Sequence, residues 1–540
     1  METIFEAFRA TAAAHPEKPF LCAPARAGRG YLEAGAEWSY GEAAEAVSAL
    51  AAAYDAAGYG PGHRVVLALD NHPAHVLHLL ALNAVGAGEA PANPYHLRDE
   101  MAYFLAHSEA VSAVSLPWNL AKLREAGDLP IVEWTDAGDP AAFAPPPPPF
   151  PRRDEAPGRG TEAALLYTSG TTARPKGCII DNAYALSAGR LYASIGGALT
   201  LREGEERIFN PLPLFHMNGG INTPVAAILT ANCLILPDRF HADSWWDDLA
   251  ATRATAMHYL GVIPPVLMKA PPSPRDRAHG VRFGLGAGIE PTLHAAFEAR
   301  FGIPMVEVWG MTETGRFFAA CHEPRGVGTR AFGRPLPEFE AKVVDEAGAE
   351  APRGTEGELL VRAGGPDPRA GFFRGYLKDP EATEAAWRGG WFHTGDVVTM
   401  DPDGMMHFVE RAKNVIRRSG ENISAAEVEN ALIAHEGVRQ VAVMAVADEM
   451  RDEEVFACLV PAEGAAADPA AAEAVLAFAA ERLAYYKLPG WVAWMDSLPV
   501  TGTQKLQKHA IFAKGADPRE DARAMDLREA KGALRRRVPS

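Results

Sequence analysis

Short apolar runs alternate along this chain with longer segments whose apolar residues recur at helical spacing. RVVLAL (64–69), AVSAVS (110–115), ALLYT (164–168), CLILP (233–237) and MVEVW (305–309) are short for helices. Several are rich in Val, Ile and Leu, as buried strands are. The alternation predicts an α/β fold built of layered sheets and helices. AAFAPPPPPFPRR (141–153) fits neither a helix nor an inner strand and predicts an extended surface connector. DPDGMMHFVERAKN (401–414) predicts a hairpin with an Asp-Gly turn and a charged exit. SAAEVENALIAHEG (424–437) predicts a helix opened by a capping box from Ser424 and Glu427. Its apolar face is Val428, Ala431 and Leu432, and Gly437 is expected to end it. VAVMAV (441–446) predicts a strand. The break near Glu410 divides the chain into residues 1–410, a large domain of several subdomains, and 411–540, a small α+β domain.

Length agrees with that division, since 540 residues exceed what one hydrophobic core supports. The formal net charge of −17 argues against nucleic acid as the main partner. Five cysteines, at 22, 178, 233, 321 and 458, show no metal-ligand spacing and no disulfide framework. They fit a reducing cytoplasm. The opening stretch METIFEAFRATAAAHPEKP has no apolar core and is not a signal peptide. The most apolar helical stretch, His75 to Ala87, is too short to span a bilayer. No transmembrane segment is expected, and a homo-oligomer stays open.

The chemistry begins at LLYTSGTTARPKGCI, Leu165 to Ile179. A strand stops at a run of glycine and hydroxyl residues, and a lysine follows. Small residues let backbone N–H groups converge on an anion, hydroxyls add donors, and lysine adds charge. The loop suits phosphate. It is not a Walker loop, because Gly177 follows Lys176. TSGTT alone is also what a surface turn looks like; the full YTSGTT-x-x-PKG string is far more specific.

That string resembles the phosphate-binding signature of the acyl-adenylate-forming superfamily, which includes acyl-CoA synthetases, luciferases and peptide-synthetase adenylation domains. Further motifs follow in the family's order: PLPLFHMNGG (211–220), GLGAGIEP (284–291), VWGMTETG (308–315), GYLKDPEAT (375–383) and GWFHTGDV (390–397). ERAKNVIRRSGENISAAEVENAL (410–432) and LPVTGTQKLQK (498–508) complete the set, so the resemblance covers nearly the whole chain. It implies a two-step reaction. A carboxylate and ATP give acyl-AMP and pyrophosphate; a thiol, usually of coenzyme A, then displaces AMP. Positioning and charge neutralisation should supply most of the catalysis.

The resemblance also implies site residues. Thr168, Ser169, Gly170, Thr171, Thr172 and Lys176 would hold the β- and γ-phosphates. Glu313 would bind Mg²⁺, and Thr312 the α-phosphate. Gly286, Ala287 and Gly288 would lie along the adenine, with Trp309 at the position of a base-stacking aromatic and Gly310 and Met311 beside it. Asp396 would accept from the ribose hydroxyls, assisted by Arg411. His216 would lie near the reacting carboxylate. Lys505 would bridge the carboxylate and α-phosphate oxygens, with Lys508 its rival. Gln504 stands where the family usually has glycine. Lys413 matches the hinge about which the small domain rotates, and Ser419, Gly420 and Glu421 would then face the pantetheine tunnel.

NVIRRSGENISAAEVENALIAHEGV (414–438) with VADEMRDEEVFACLV (446–460) looks most like bacterial carnitine/crotonobetaine-CoA ligases and related acyl-CoA ligases. The expected acyl pocket draws on residues after His216, on Gly286 to Ile289 and on Met311 to Phe318. It includes Met217, Asn218, Asn222, Thr314 and Arg316, which suits a small or medium, partly polar acid. ATP, Mg²⁺ and coenzyme A are the implied cofactor and co-substrates. An adenylating enzyme with another acceptor, and a non-catalytic acyl-binding or transport protein, are the alternatives.

Overall fold

The computed structural model describes all residues except 136–139, 169–174, 262, 346, 412–414, 500–507, 509–510, 514 and 536–540. The chain separates into two units. The first comprises Met1–Pro94, Phe104–Tyr167 and Gly177–Ala412; the second comprises Tyr95–Tyr103, Thr168–Lys176 and Lys413–Ser540.

Every apolar run named above forms a strand. Arg64–Ala68, Ser112–Ser115 and Glu162–Thr168 lie in a seven-stranded sheet; Cys233–Ile235 and Met305–Gly310 lie in an eight-stranded one. The eight-stranded sheet runs Phe317–Ala319, Met305–Gly310, Phe283–Ala287, Ala256–Leu260, Arg207–Phe209, Cys233–Ile235, Pro19–Ala23, Ala36–Ser39. From Met305–Gly310 to Pro19–Ala23 all neighbours are parallel, and both outermost pairs are antiparallel. Parallel strands need buried faces. Helices such as Ala74–Val85 supply that cover, and its residues from Ala74 to Asn83 are all buried. His75 and His78 therefore lie inside the core. His75 Nε2 is 3.2 Å from Glu89 Oε2, and His78 Nδ1 is 2.9 Å from the Tyr54 hydroxyl.

A third, antiparallel sheet contains Ala331–Gly333, Met406–Arg411, Trp391–Met400, Gly357–Ala363 and Phe339–Val344. Trp391–Met400 and Met406–Arg411 form the expected hairpin, closed by Gly404 N–H to Asp401 O at 2.9 Å. The proline-rich connector has a short 3-10 turn at Pro140–Ala142 and is otherwise irregular. It is tied down by its backbone: Tyr59 donates to Pro146 O at 2.9 Å, and Arg153 N–H to Pro61 O at 2.9 Å.

In the second unit Val415–Arg418, Glu421–Ser424, Val438–Asp448, Asp452–Pro461, Trp491–Trp494 and Ala524–Asp526 form one sheet. Helices Ala425–Ile433 and Pro469–Ala480 contribute to its core through Val428, Leu432, Val475 and Leu476. One boundary differs from the sequence reading. The first of these helices ends at Ile433, not at Gly437. Gly437 instead belongs to a tight turn in which Val438 N–H reaches His435 O at 2.9 Å and Gly437 N–H reaches His435 Nδ1 at 3.0 Å. The histidine side chain accepts within that turn, beyond the end of the helix.

Candidate functional site

Parallel strands present their C-terminal ends along one edge, where open α/β sheets place ligands. In the eight-stranded sheet three candidate segments share that edge. Asn210 to His216 follows Arg207–Phe209, Gly286 to Gly288 closes Phe283–Ala287, and Gly310 to Glu313 follows Met305–Gly310. The last two of these strands are direct neighbours, with Gly286 opposite Glu307.

Glu307 was not singled out by sequence reasoning, yet it shapes the glycine turn. Its carboxylate accepts Gly288 N–H at 2.8 Å, Ile289 N–H at 3.2 Å and the Tyr259 hydroxyl. Two glycines are required here. A Cβ on Gly286 would sit 2.2 Å from Tyr259 O, and Gly288 has φ +87°.

The Met305–Gly310 strand delivers Trp309 into the core, 4% exposed, with its ring against Phe318 at a centroid separation of 5.7 Å. Its indole N–H donates to Asp396 Oδ2 at 2.8 Å. Asp396 is 1% exposed on Trp391–Met400, and its N–H is held by Thr394 Oγ1 at 3.0 Å. Its cross-strand partner is Arg411, so the two sequence-predicted ribose residues are neighbours in the backbone ladder.

Beyond Gly310 the chain turns through Met311, Thr312 and Glu313. Tyr184 donates its hydroxyl to Thr312 O at 2.6 Å, and Tyr376 donates to Glu313 Oε1 at 2.8 Å. Burial and the Glu313 carboxylate hold the Tyr376 phenol well above its ordinary value, so it stays a donor. Phe373 N–H bonds Glu313 O at 3.0 Å. Tyr376 lies inside the GYLKDPEAT motif quoted from the sequence, but nothing in the sequence pointed it at Glu313.

His216 opens a π turn, Asn218–Asn222, entered by Gly220 N–H to His216 O at 2.8 Å. Such turns recur at functional sites because they re-aim side chains. A polar network fixes this one. Asn210 Nδ2 donates to Asn218 Oδ1 at 3.1 Å and to Thr223 Oγ1 at 3.0 Å. His258 Nδ1 is 2.8 Å from Asn218 Oδ1, and its Nε2 is 2.9 Å from the Tyr192 hydroxyl. The oxygen acceptor makes Nδ1 the protonated nitrogen of a neutral ring. Burial lowers the His216 pKa to about 4 and that of His258 to about 3, so both are uncharged at neutral pH.

Thr168 ends Glu162–Thr168 and Lys176 begins Lys176–Asp181; Ser169, Gly170, Thr171 and Thr172 lie outside the described residues. Lys413, Gln504 and Lys505 also lie outside them. Lys508 is described. Its ammonium is 2.6 Å from Glu429 Oε1 and donates to Val443 O at 2.9 Å, a structural tie within the second unit. Ser419 (φ +52°) and Gly420 (φ +87°) are the two central residues of the hairpin joining Val415–Arg418 to Glu421–Ser424. Two left-handed residues make a type I′ turn, whose twist matches the strands. Burial pushes the Glu421 carboxyl up to about 7, opposed by Lys487 and assisted by Glu100. Among the described residues no cluster of three or more His, Cys, Asp or Glu could hold a metal ion.

The AMP-binding enzyme family model matches residues 8–377, more than half of the chain. This protein belongs to the AMP-binding enzyme family. The C-terminal domain model of the same family matches residues 427–505. The sulfoacetate–CoA ligase of Cupriavidus necator is 33% identical over 530 residues, covering 94% of this chain and 97% of that protein. The crotonobetaine/carnitine–CoA ligase of Citrobacter koseri is 31% identical over 492 residues, covering 87% and 92%. Among solved structures, the amide bond synthetase McbA from Marinactinospora thermotolerans matches with TM-score 0.77 at 27% identity, covering 94% and 98%. The mixed α/β architecture, with a large N-terminal and a small C-terminal domain, is that of the family. No helix among the described residues is long and apolar enough to cross a membrane.

Proposed function

We propose that this chain is an ATP-dependent acyl-CoA ligase acting on a small or medium, partly polar carboxylic acid. The observation that carries the reading is the Asp396–Trp309 contact at the end of the strand that leads into Thr312 and Glu313. It supports reading Asp396 as the carboxylate that would take the ribose diol, bonded to Trp309 three residues before Thr312 in the turn that would take phosphate and metal. Asp396 would hold the ribose, with Arg411 beside it on the ladder. Gly286 to Gly288 would form the adenine wall. Thr168 to Thr172 with Lys176 would hold the outer phosphates.

Mg²⁺ fits Glu313. A single carboxylate is enough when phosphates supply other ligands, and the Tyr376 hydroxyl orients that carboxylate. Bound there, the ion would neutralise phosphate charge. His216, uncharged, would wall the site of the reacting carboxylate. Lys505 would supply positive charge between carboxylate and α-phosphate during adenylation. Lys413 would serve as the hinge, and Ser419, Gly420 and Glu421 would face coenzyme A in the second step.

The named relatives act on short acids with polar tails, sulfoacetate and crotonobetaine or carnitine, which supports the same class here. Five buried, free cysteines fit a cytoplasmic enzyme. The likeness to an amide bond synthetase supports a second reading, in which an amine replaces the CoA thiol as acceptor.

The test is a carboxylate panel with ATP and Mg²⁺, with and without CoA, followed for AMP, pyrophosphate and thioester by mass spectrometry. CoA-dependent AMP release with a thioester product is expected. Pyrophosphate and acyl-AMP without thioester, but with amide when amines are added, would favour the second reading. ATP binding without turnover of any acid would overturn both.

A further inference from the structure

We propose that Arg316 and Ser187 receive a second anionic group on the acid, a sulfonate or a distal carboxylate; this rests on the ligase reading above. Arg316 is 7% exposed. Its Nε donates to Ser187 Oγ at 3.0 Å, while Nη1 is buried and meets no hydrogen-bond partner among the described residues. The acidic residue whose field it feels is Glu338, which is exposed, and no carboxylate among the described residues pairs with it. A buried guanidinium without an anion is costly. The rings of Phe339 and Phe372, at 6.0 and 5.9 Å, offset only part of that cost.

Its place in the fold matters as much as its charge. Ser187 lies one helical turn beyond Tyr184 on Asn182–Ser194, and residues three apart share a helix face. Tyr184 holds Thr312 O, so the same face carries the Arg316 contact and the expected reaction centre. Phe372 lies under the guanidinium, and its neighbour Phe373 bonds Glu313 O. Gly371, at φ +72°, closes over the pair: a Cβ there would lie 2.6 Å from Nη2 and 2.9 Å from Ser187 Oγ. The guanidinium is thus packed against two segments that also carry contacts to Thr312 and Glu313, and it keeps an unmatched donor.

The charge sign discriminates between acids. A trimethylammonium tail, as on carnitine, would meet a like charge. A sulfonate or carboxylate would meet an opposite one and accept from two guanidinium nitrogens or from Nη1 and the serine hydroxyl. The acid class is therefore a short carboxylic acid with a second anion.

The experiment measures ATP–pyrophosphate exchange for sulfoacetate, malonate, propionate and carnitine with wild type, Arg316→Gln, Arg316→Lys and Ser187→Ala. Wild type should favour sulfoacetate or malonate over propionate at least tenfold in kcat/KM. Arg316→Gln should cut that ratio at least tenfold through KM of the dianion, and Arg316→Lys should restore part of it. Ser187→Ala, a smaller change, should cut it severalfold if the Gln variant does not fold. Exchange with propionate or carnitine that equals or exceeds the dianions in wild type overturns this inference and leaves the ligase reading standing. An unchanged ratio in folded Arg316→Gln does the same. Exchange with no acid, in protein that binds ATP, overturns the ligase reading and this inference with it.

Discussion

The indole Nε1–H of Trp309 donates to Asp396 Oδ2 at 2.8 Å, joining the mostly parallel eight-stranded sheet to the antiparallel one. The contact gives a buried carboxylate one fixed orientation, because an indole has a single donor. A hydrogen bond to an ionised group contributes about 1.5–3 kcal/mol. Trp309→Phe is therefore expected to lower kcat/KM for ATP about tenfold or more, and Asp396→Ala at least as much. The double variant should lose less than the two single losses combined, because one contact is removed twice. Steady-state kinetics with varied ATP would check this, and full additivity would show that the indole does not act through Asp396.

Tyr376 acts on Glu313 by one hydroxyl. Partners that orient a metal ligand typically matter 10–100-fold in metal affinity, so Tyr376→Phe should raise the Mg²⁺ concentration for half-maximal activity by roughly tenfold. Saturating Mg²⁺ should then recover most of the rate. An unchanged Mg²⁺ dependence would remove Glu313 as the ion's ligand or Tyr376 as its support.

Two lysines close in sequence should separate by phenotype. Lys508 is tied to Glu429 and to the Val443 carbonyl, so Lys508→Ala should chiefly lower thermal stability. Lys505→Ala should abolish adenylation yet still convert supplied acyl-AMP and CoA to thioester. Assaying the two half-reactions separately decides it. Equal loss of both steps in Lys505→Ala would withdraw its adenylation role, and loss of adenylation in a stable Lys508→Ala would transfer that role to Lys508.

The strands were legible because five short, apolar runs admitted little else, and the hairpin because Asp-Gly is a strong local signal. The site was legible only as motifs. Asp396, Trp309 and Glu313 were named from the order of quoted strings, while Tyr376, Tyr184 and Glu307 were not placed at their contacts. Their contacts join residues 63, 128 and 48 positions apart, a separation no local pattern encodes. Gly437 differs for the opposite reason: glycine after a helix is a common local stop, but this helix already ends at Ile433 and Gly437 sits in the turn that follows. Arg316 was visible as a polar residue in an apolar stretch, and only burial showed that its charge is unmatched.

Buried neutral histidines set the expected response to acid. Burial lowers His78 to about 3, His216 to about 4 and His258 to about 3, from an ordinary value of 6.5. His258 Nε2 accepts the Tyr192 hydroxyl, a role that a protonated ring cannot keep, and the His78 ring is buried beside the Tyr54 hydroxyl. The unfolded chain takes up these protons as pH falls through about 6.5, while the folded chain resists until about 4 or below. Stability therefore rises with pH across that window and is lost as pH falls through it. Urea unfolding at intervals from pH 8 to 4.5 should show a midpoint that is flat above 7 and declines below 6.5. His258→Gln keeps an amide donor toward Asn218 and an acceptor toward Tyr192 while removing one titration, so its decline should be shallower by about one proton. A slope identical to wild type would show that His258 does not contribute to acid sensitivity, and a midpoint constant from pH 7 to 4.5 would contradict the neutral state of all three rings.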